Sequence, residues 1–187
     1  MHEPSRRSLI AIAGKKGAGK DTLASFFIAA GYRQYRFADP LKQMLKTMLA
    51  FTDATPMEID RMIDGDLKEV PSYWFGNKTP REAMQYLGTE WRDHLAQDLW
   101  MRIFKFRSSL YDGPQIITDC RFVHEFAEIR KLGGTVIKIH RDVAATVGAT
   151  HASENEIDQI EADINVFNDG TIDDLRVAAA ALIEEFK

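Results

Sequence analysis

The sequence predicts an α/β protein in three layers, a five-stranded parallel sheet flanked by helices. Five short apolar runs end at turn residues, and helical stretches separate them, so each connection crosses back over the sheet. Size agrees: 187 residues, 45% hydrophobic and 28% charged, suit a single domain with one substantial core.

Taken in order, MHEPSRR (1–7) is polar, has no periodicity and reads as a loose tail. SLIAIA (8–13) is a strand buried on both faces that stops at Gly14. A helix follows from about Gly19 to Ala30 and ends at Gly31. YRQYRFA (32–38) alternates as a second strand, and Pro40 opens the amphipathic helix PLKQMLKTMLAF. Residues 52–79 carry mixed charge and prolines, with one short helix expected near 57–63. Thr79, Pro80 and Glu82 form a capped helix start; that helix is expected to reach Leu87, with a second long one after Gly88 to about Leu110. QIITDC (115–120), TVIKIH (135–140) and INVFND (164–169) complete the strands. Helices are expected from Phe122 to Leu132 and from a Thr171 and Asp174 start, while 142–156 shows no buried pattern.

Composition excludes several classes. A net charge of −4 argues against a broad basic surface for a nucleic acid polymer, so anion binding must come from local clusters. Cys120 is the only cysteine, which leaves no internal disulfide. The five histidines lack zinc-like spacing, and His94 and His124 read as helix-surface residues. No apolar run approaches the ~20 residues of a membrane span, so a cytoplasmic protein is expected, with no membrane partner.

The chemistry concentrates in AGKKGAGKDTLA (13–24). Gly14, Lys15, Lys16, Gly17, Ala18, Gly19 and Lys20 have the spacing of a phosphate-binding loop, and they sit where a buried strand turns into a helix. In that context backbone amides converge on one point and hold di- or triphosphate charge, with Lys20 reaching toward the terminal phosphates. Asp21 stands where the pattern expects a hydroxyl on Mg²⁺; a carboxylate ligates Mg²⁺ directly or through water, Thr22 is the reserve hydroxyl, and Lys15, Lys16 and Lys20 offset the added negative charge.

Partners for such a loop belong at the carboxyl ends of other strands. TDCR ends the third, with Asp119 a candidate for the metal shell and Arg121 a phosphate fork; the alternative for Asp119 is a helix cap. HRD ends the fourth and places Arg141 at the mouth of 142–156, either on a mobile flap over a phosphoryl group or as a solvated charge. FNDGT ends the fifth, where Asn168 and Asp169 either line an adenine slot or form a tight connection. Between strands two and three lie FADPLK (37–42), with Phe37, Asp39 and Lys42, and TPREAMQYLGTEWRD (79–93). Arg81, Gln85 and Thr89 are spaced by four and share one helical face, with Trp91 and Arg92 after them, as a stripe of donors or as wet surface.

Together, GKKGAGKDTLA, FADPLK, REAMQYLGT, DCRFVHEFAEIRKLGGTVIKI, HASE and FNDGTIDDL resemble, in matching order from about residue 9 onward, the deoxynucleoside monophosphate kinases of tailed bacteriophages. The Gly-Lys-Asp-Thr of the loop is similar to that branch of P-loop kinases. The resemblance implies the P-loop nucleoside monophosphate kinase fold: a core of about 8–51 and 114–187, a monophosphate-binding helical insertion of about 52–113, and a lid of about 141–157. It implies ATP as co-substrate with Mg²⁺ held by Asp21 and Asp119, and a deoxynucleoside monophosphate facing Phe37, Asp39, Lys42, Arg81, Gln85, Thr89, Trp91 and Arg92. His151 and Glu154 would help close the lid, and Lys20, Asp119, Arg121 and Arg141 would serve the reacting phosphates. A homodimer and, for a viral protein, the host cytoplasm are implied at the level of the family. Rival readings are an animal-type phosphomevalonate kinase, which shares the Gly-Lys-Asp loop, a dephospho-coenzyme A kinase, and a regulator that holds ATP without acceptor chemistry.

Overall fold

The computed structural model describes residues 8–141 and 157–186. It divides into two compact units, Phe37–Phe104 and the remainder of the chain on either side.

The sheet unit contains β1 (Leu9–Ala13), β2 (Arg33–Tyr35), β3 (Gln115–Ile117), β4 (Thr135–His140) and β5 (Ile164–Phe167). The strands are parallel, in the order β2-β3-β1-β4-β5. All five β1 residues are buried, and alternate residues of a strand face opposite sides, so both faces of the sheet are covered. The cover comes from α1 (Lys20–Ala29), α6 (Val123–Lys131) and α7 (Ile172–Glu185). Phe27, Leu23, Leu175 and Ala179 pack with Ile10, Ile12, Ile137 and Ile139 in one apolar core. Because β1 lies between β3 and β4, the chain leaves β1 at the point where the strand order reverses.

The helical unit holds α2 (Asp39–Leu49), α3 (Pro56–Asp64) and α4 (Pro80–His94), and α5 (Leu99–Ser109) begins in it. Leu45, Leu49, Ile59, Ile63 and Met84 form its own core. Thr55 caps α3 and Thr79 caps α4, each in a reciprocal capping box with a glutamate three residues on, as Thr171 caps α7 with Asp174. Two 3-10 turns, Asp66–Glu69 and Tyr73–Phe75, join α3 to α4; three or four residues are too short to show a period in the sequence.

Three expectations need correction. The helix starting at Pro80 does not stop before Gly88 but continues to His94, and the break falls at residues 95–98. A glycine costs a helix about 1 kcal/mol. Here the Gly88 carbonyl accepts a bond from Trp100 Nε1 at 2.9 Å, and a Cβ at Gly88 would meet Leu41 at 3.3 Å, so packing of the unit outweighs propensity. Strand two spans only Arg33–Tyr35, because Phe37 already belongs to the helical unit. Strand three pairs only through Ile117.

Candidate phosphate-transfer site

The loop after β1 leaves the first turn of α1 without a side-chain cap, unlike α3, α4 and α7. Gly19 takes the N-cap position at φ 102°, a left-handed conformation that L side chains rarely adopt. The amide donors at that helix end therefore point at the loop and suit an anion. Lys20 folds back over the loop, its Nζ donating to the Gly14 carbonyl at 2.6 Å and the Lys15 carbonyl at 3.0 Å. Lys15 pairs with Asp158 at 2.9 Å; Lys16 and Gly17 are exposed.

Close packing fixes the loop from behind. A Cβ at Gly14 would lie 2.6 Å from Ile139 Cγ2, and one at Gly19 would lie 2.5 Å from Asn168 Nδ2. Asn168 is buried and donates to the Ala18 carbonyl at 2.9 Å. The connection from β5 to α7 is tight, residues 168–171, and within it the Asn168 side chain braces the loop. Asp169, next to it, is exposed.

Asp119 lies two residues past Ile117 just as Ala13 lies two past Ala11, and these strands pair in register, so Asp119 emerges level with the start of the loop. Asp119 is half-buried and Arg121 exposed. The turn that carries both is held by Glu125, a residue the sequence reading missed: its Oε2 accepts from the amides of Arg121 at 2.7 Å and Phe122 at 3.1 Å. Desolvation, with Asp119 nearby, pushes the Glu125 carboxyl up to about 7 against the pull of those two amides. An acidic residue in the first turn of a helix was the available signal. Burial also raises the Cys120 thiol well above its ordinary range, which makes it a core residue. Arg141 follows β4, on the other side of β1, and is exposed. His151, Glu154 and nearly all of the expected lid lie outside the described residues.

Among the described residues no three His, Cys, Asp or Glu side chains gather into a metal cage. Mg²⁺ needs none: one or two carboxylates, substrate phosphates and water satisfy it. Asp21, exposed in the first turn of α1, and Asp119 fit that requirement.

In the helical unit, the uninterrupted α4 puts Arg81, Gln85 and Thr89 on one face, with Arg92, eleven residues on, returning to it. Gln85 and Thr89 are exposed, Arg81 and Arg92 half-buried. Arg81 is ion-paired with Glu69, and Arg92 with Asp93 at 3.2 Å. Lys42 on α2 pairs with Asp64 at 2.6 Å, and Asp39 opens the same helix. Of the aromatic candidates, Phe37 is buried against Phe104 edge-to-face at 5.4 Å, whereas Trp91 remains exposed while stacking on Trp100 at 6.4 Å. Lys68, which the sequence reading passed over, lies half-buried in the first 3-10 turn. His94 pairs with Glu90 and His124 stacks on Phe122, both at the surface as expected.

Solved structures share this fold: protein TT1252 of Thermus thermophilus, at 17% identity, and dephospho-CoA kinase of Campylobacter jejuni, at 15%, each with a TM-score of 0.54 over 97% of this chain and 98% of theirs. In sequence, a protein of Acanthamoeba polyphaga mimivirus described as "Putative deoxynucleotide monophosphate kinase" is 36% identical over 184 residues, covering 89% of this chain and 91% of its own. The deoxynucleotide monophosphate kinase of Escherichia phage RB69 is 31% identical over 100 residues, 51% of this chain and 41% of that protein. The family profile described as deoxynucleotide monophosphate kinase matches residues 76–178, which hold the stripe of α4, the Asp119–Arg121 turn and β5. The chain belongs to the deoxynucleotide monophosphate kinase family.

Proposed function

We propose that this protein transfers the γ-phosphoryl group of ATP to a deoxynucleoside 5′-monophosphate, giving the diphosphate and ADP. The observation that carries this reading is the near-full-length match to a relative of that description, joined to an uncapped helix end behind a Gly-Lys-Asp loop. Phosphoryl transfer asks a protein mainly for positioning and charge stabilisation. The loop amides and Lys20 hold the triphosphate, and Arg121 and Arg141 act on the group in transit. Arg81, Gln85 and Thr89 orient the acceptor, with Lys42, Trp91 and Arg92 beside them, while Phe37 and Asp39 shape that side from within. The acceptor phosphate is already ionised near pH 7, so no side chain has to remove a proton. Asp21 and Asp119 would hold Mg²⁺, which would supply charge neutralisation at the reacting phosphates. A lid over 141–157 containing His151 and Glu154 excludes water from the phosphoryl group. We place the protein in the host cytoplasm, a reading its viral relatives support.

ADP formation from ATP and Mg²⁺, measured with dAMP, dCMP, dGMP, dTMP and phosphomevalonate in turn, tests this. Turnover is expected with at least one deoxynucleotide, and Lys20→Ala is expected to lower it on the order of 10²–10³-fold or more. Activity on phosphomevalonate alone would refute the nucleotide assignment.

A further inference from the structure

Arg81 and Lys42 each have a carboxylate partner, Glu69 and Asp64, and Lys68 directly precedes Glu69 in the chain. It sits in the 3-10 turn Asp66–Glu69, which packs against α3 and α4. Among the described residues its ammonium has no hydrogen-bond or ion-pair partner, although it is half-buried. Among the described residues the surrounding cluster holds five cations, Lys42, Lys46, Arg61, Lys68 and Arg81, against four carboxylates, Asp60, Asp64, Asp66 and Glu69. Burial first, then the like charges of Lys42 and Arg81, hold the Lys68 ammonium below its ordinary range despite Asp64 and Glu69. A half-buried cation that makes no direct ion pair and feels two further cations is a site that an arriving anion stabilises.

We propose that Lys68, together with Lys42 and Arg81, forms the pocket for the 5′-phosphate of the acceptor nucleotide within the helical unit, with Lys68 as its unassigned binding residue. A phosphate monoester suits it better than a carboxylate, since near pH 7 it brings close to two negative charges and three acceptor oxygens for three cationic donors. Glu69 and Asp64 hold Arg81 and Lys42 in place until the phosphate competes for them. The substrate identity rests on the kinase reading above; the anion site rests on the cluster alone.

The full chain labelled with [ε-13C]lysine, in which the Lys68 signal is the one lost in Lys68→Arg, is titrated with inorganic phosphate at constant ionic strength. Phosphate is expected to shift that signal and raise its titration midpoint toward the ordinary lysine range; a signal indifferent to phosphate overturns the proposal. In turnover assays Lys68→Met is expected to raise KM for the deoxynucleotide about tenfold to a hundredfold, the range of one charge-assisted hydrogen bond. KM for ATP is expected to stay within about twofold, and Lys68→Arg to recover most of the loss. Equal losses for both substrates would mark a structural lysine and end the proposal. A chain that turns over no deoxynucleotide yet shows the phosphate response at Lys68 loses the kinase assignment and keeps the anion site. Turnover unaffected by Lys68→Met does the reverse.

Discussion

Asn168, the first residue past β5, donates its side-chain amide to the carbonyl of Ala18 across 150 residues of sequence. Both residues are buried, so the bond cannot be exchanged cheaply for one to water. Asn168→Ala leaves that carbonyl short of a donor, at a cost of about 1–3 kcal/mol. Chemical denaturation should show that loss, and KM for ATP should rise with it because the bond braces the phosphate loop. An unchanged KM for ATP would limit Asn168 to stability.

The same amide sets the sensitivity of the neighbouring glycine. Gly17→Ala and Gly19→Ala both force an alanine to positive φ, at 81° and 102°, which costs roughly 1–2 kcal/mol each. Only at Gly19 does the new Cβ also collide, 2.5 Å from Asn168 Nδ2, while at Gly17 it meets nothing within 4 Å. ATP affinity measured by calorimetry should therefore fall further in Gly19→Ala than in Gly17→Ala. Adding Asn168→Ala to Gly19→Ala should cost less than the sum of the single changes, since the clash is then gone. Strict additivity would contradict the packing described for the loop.

Glu125 gives the stability a pH dependence of unusual sign for a carboxylate. Its folded pKa of about 7 lies above the ordinary 4.5, so the native state binds the proton more readily than the unfolded chain. The stabilisation is fully present below pH 4.5 and is lost as the pH rises through 7. Asp66 and Glu128, held at about 2 by Arg61 and by Lys105 with Lys131, finish titrating below this window and do not obscure it. Glu125→Gln keeps an oxygen for the amides of Arg121 and Phe122 but cannot ionise. Urea denaturation at pH 5 and pH 8 should show the variant gaining on the wild type by up to roughly 3 kcal/mol between the two. No relative gain would mean that the carboxyl is charged at both pH values.

Where the sequence was legible, the physics was local. Strands could be read because short apolar runs bounded by turn residues, LIAIA above all, have no polar face to offer water, and the parallel sheet followed from the helices between them. Thr79 and Thr171 announced their helices because a capping box spans only four residues. The Gly-rich loop between β1 and α1 was visible for the same reason. Gly88 misled because a propensity of about 1 kcal/mol is small beside the packing of Trp100 and Leu41 around it.

What lay beyond reach was pairing between distant residues. Nothing near Asn168 says that it will brace Ala18, and nothing near Lys68 says that Lys42 and Arg81 will stand beside it. The sequence by itself determined which segments become strands and helices and where backbone amides are left open for an anion, since dihedral preference and periodic burial act over a few residues. Only the tertiary structure decided which charges find partners and which carboxyl holds its proton, because Coulomb attraction and desolvation depend on distances that the chain sets when it folds.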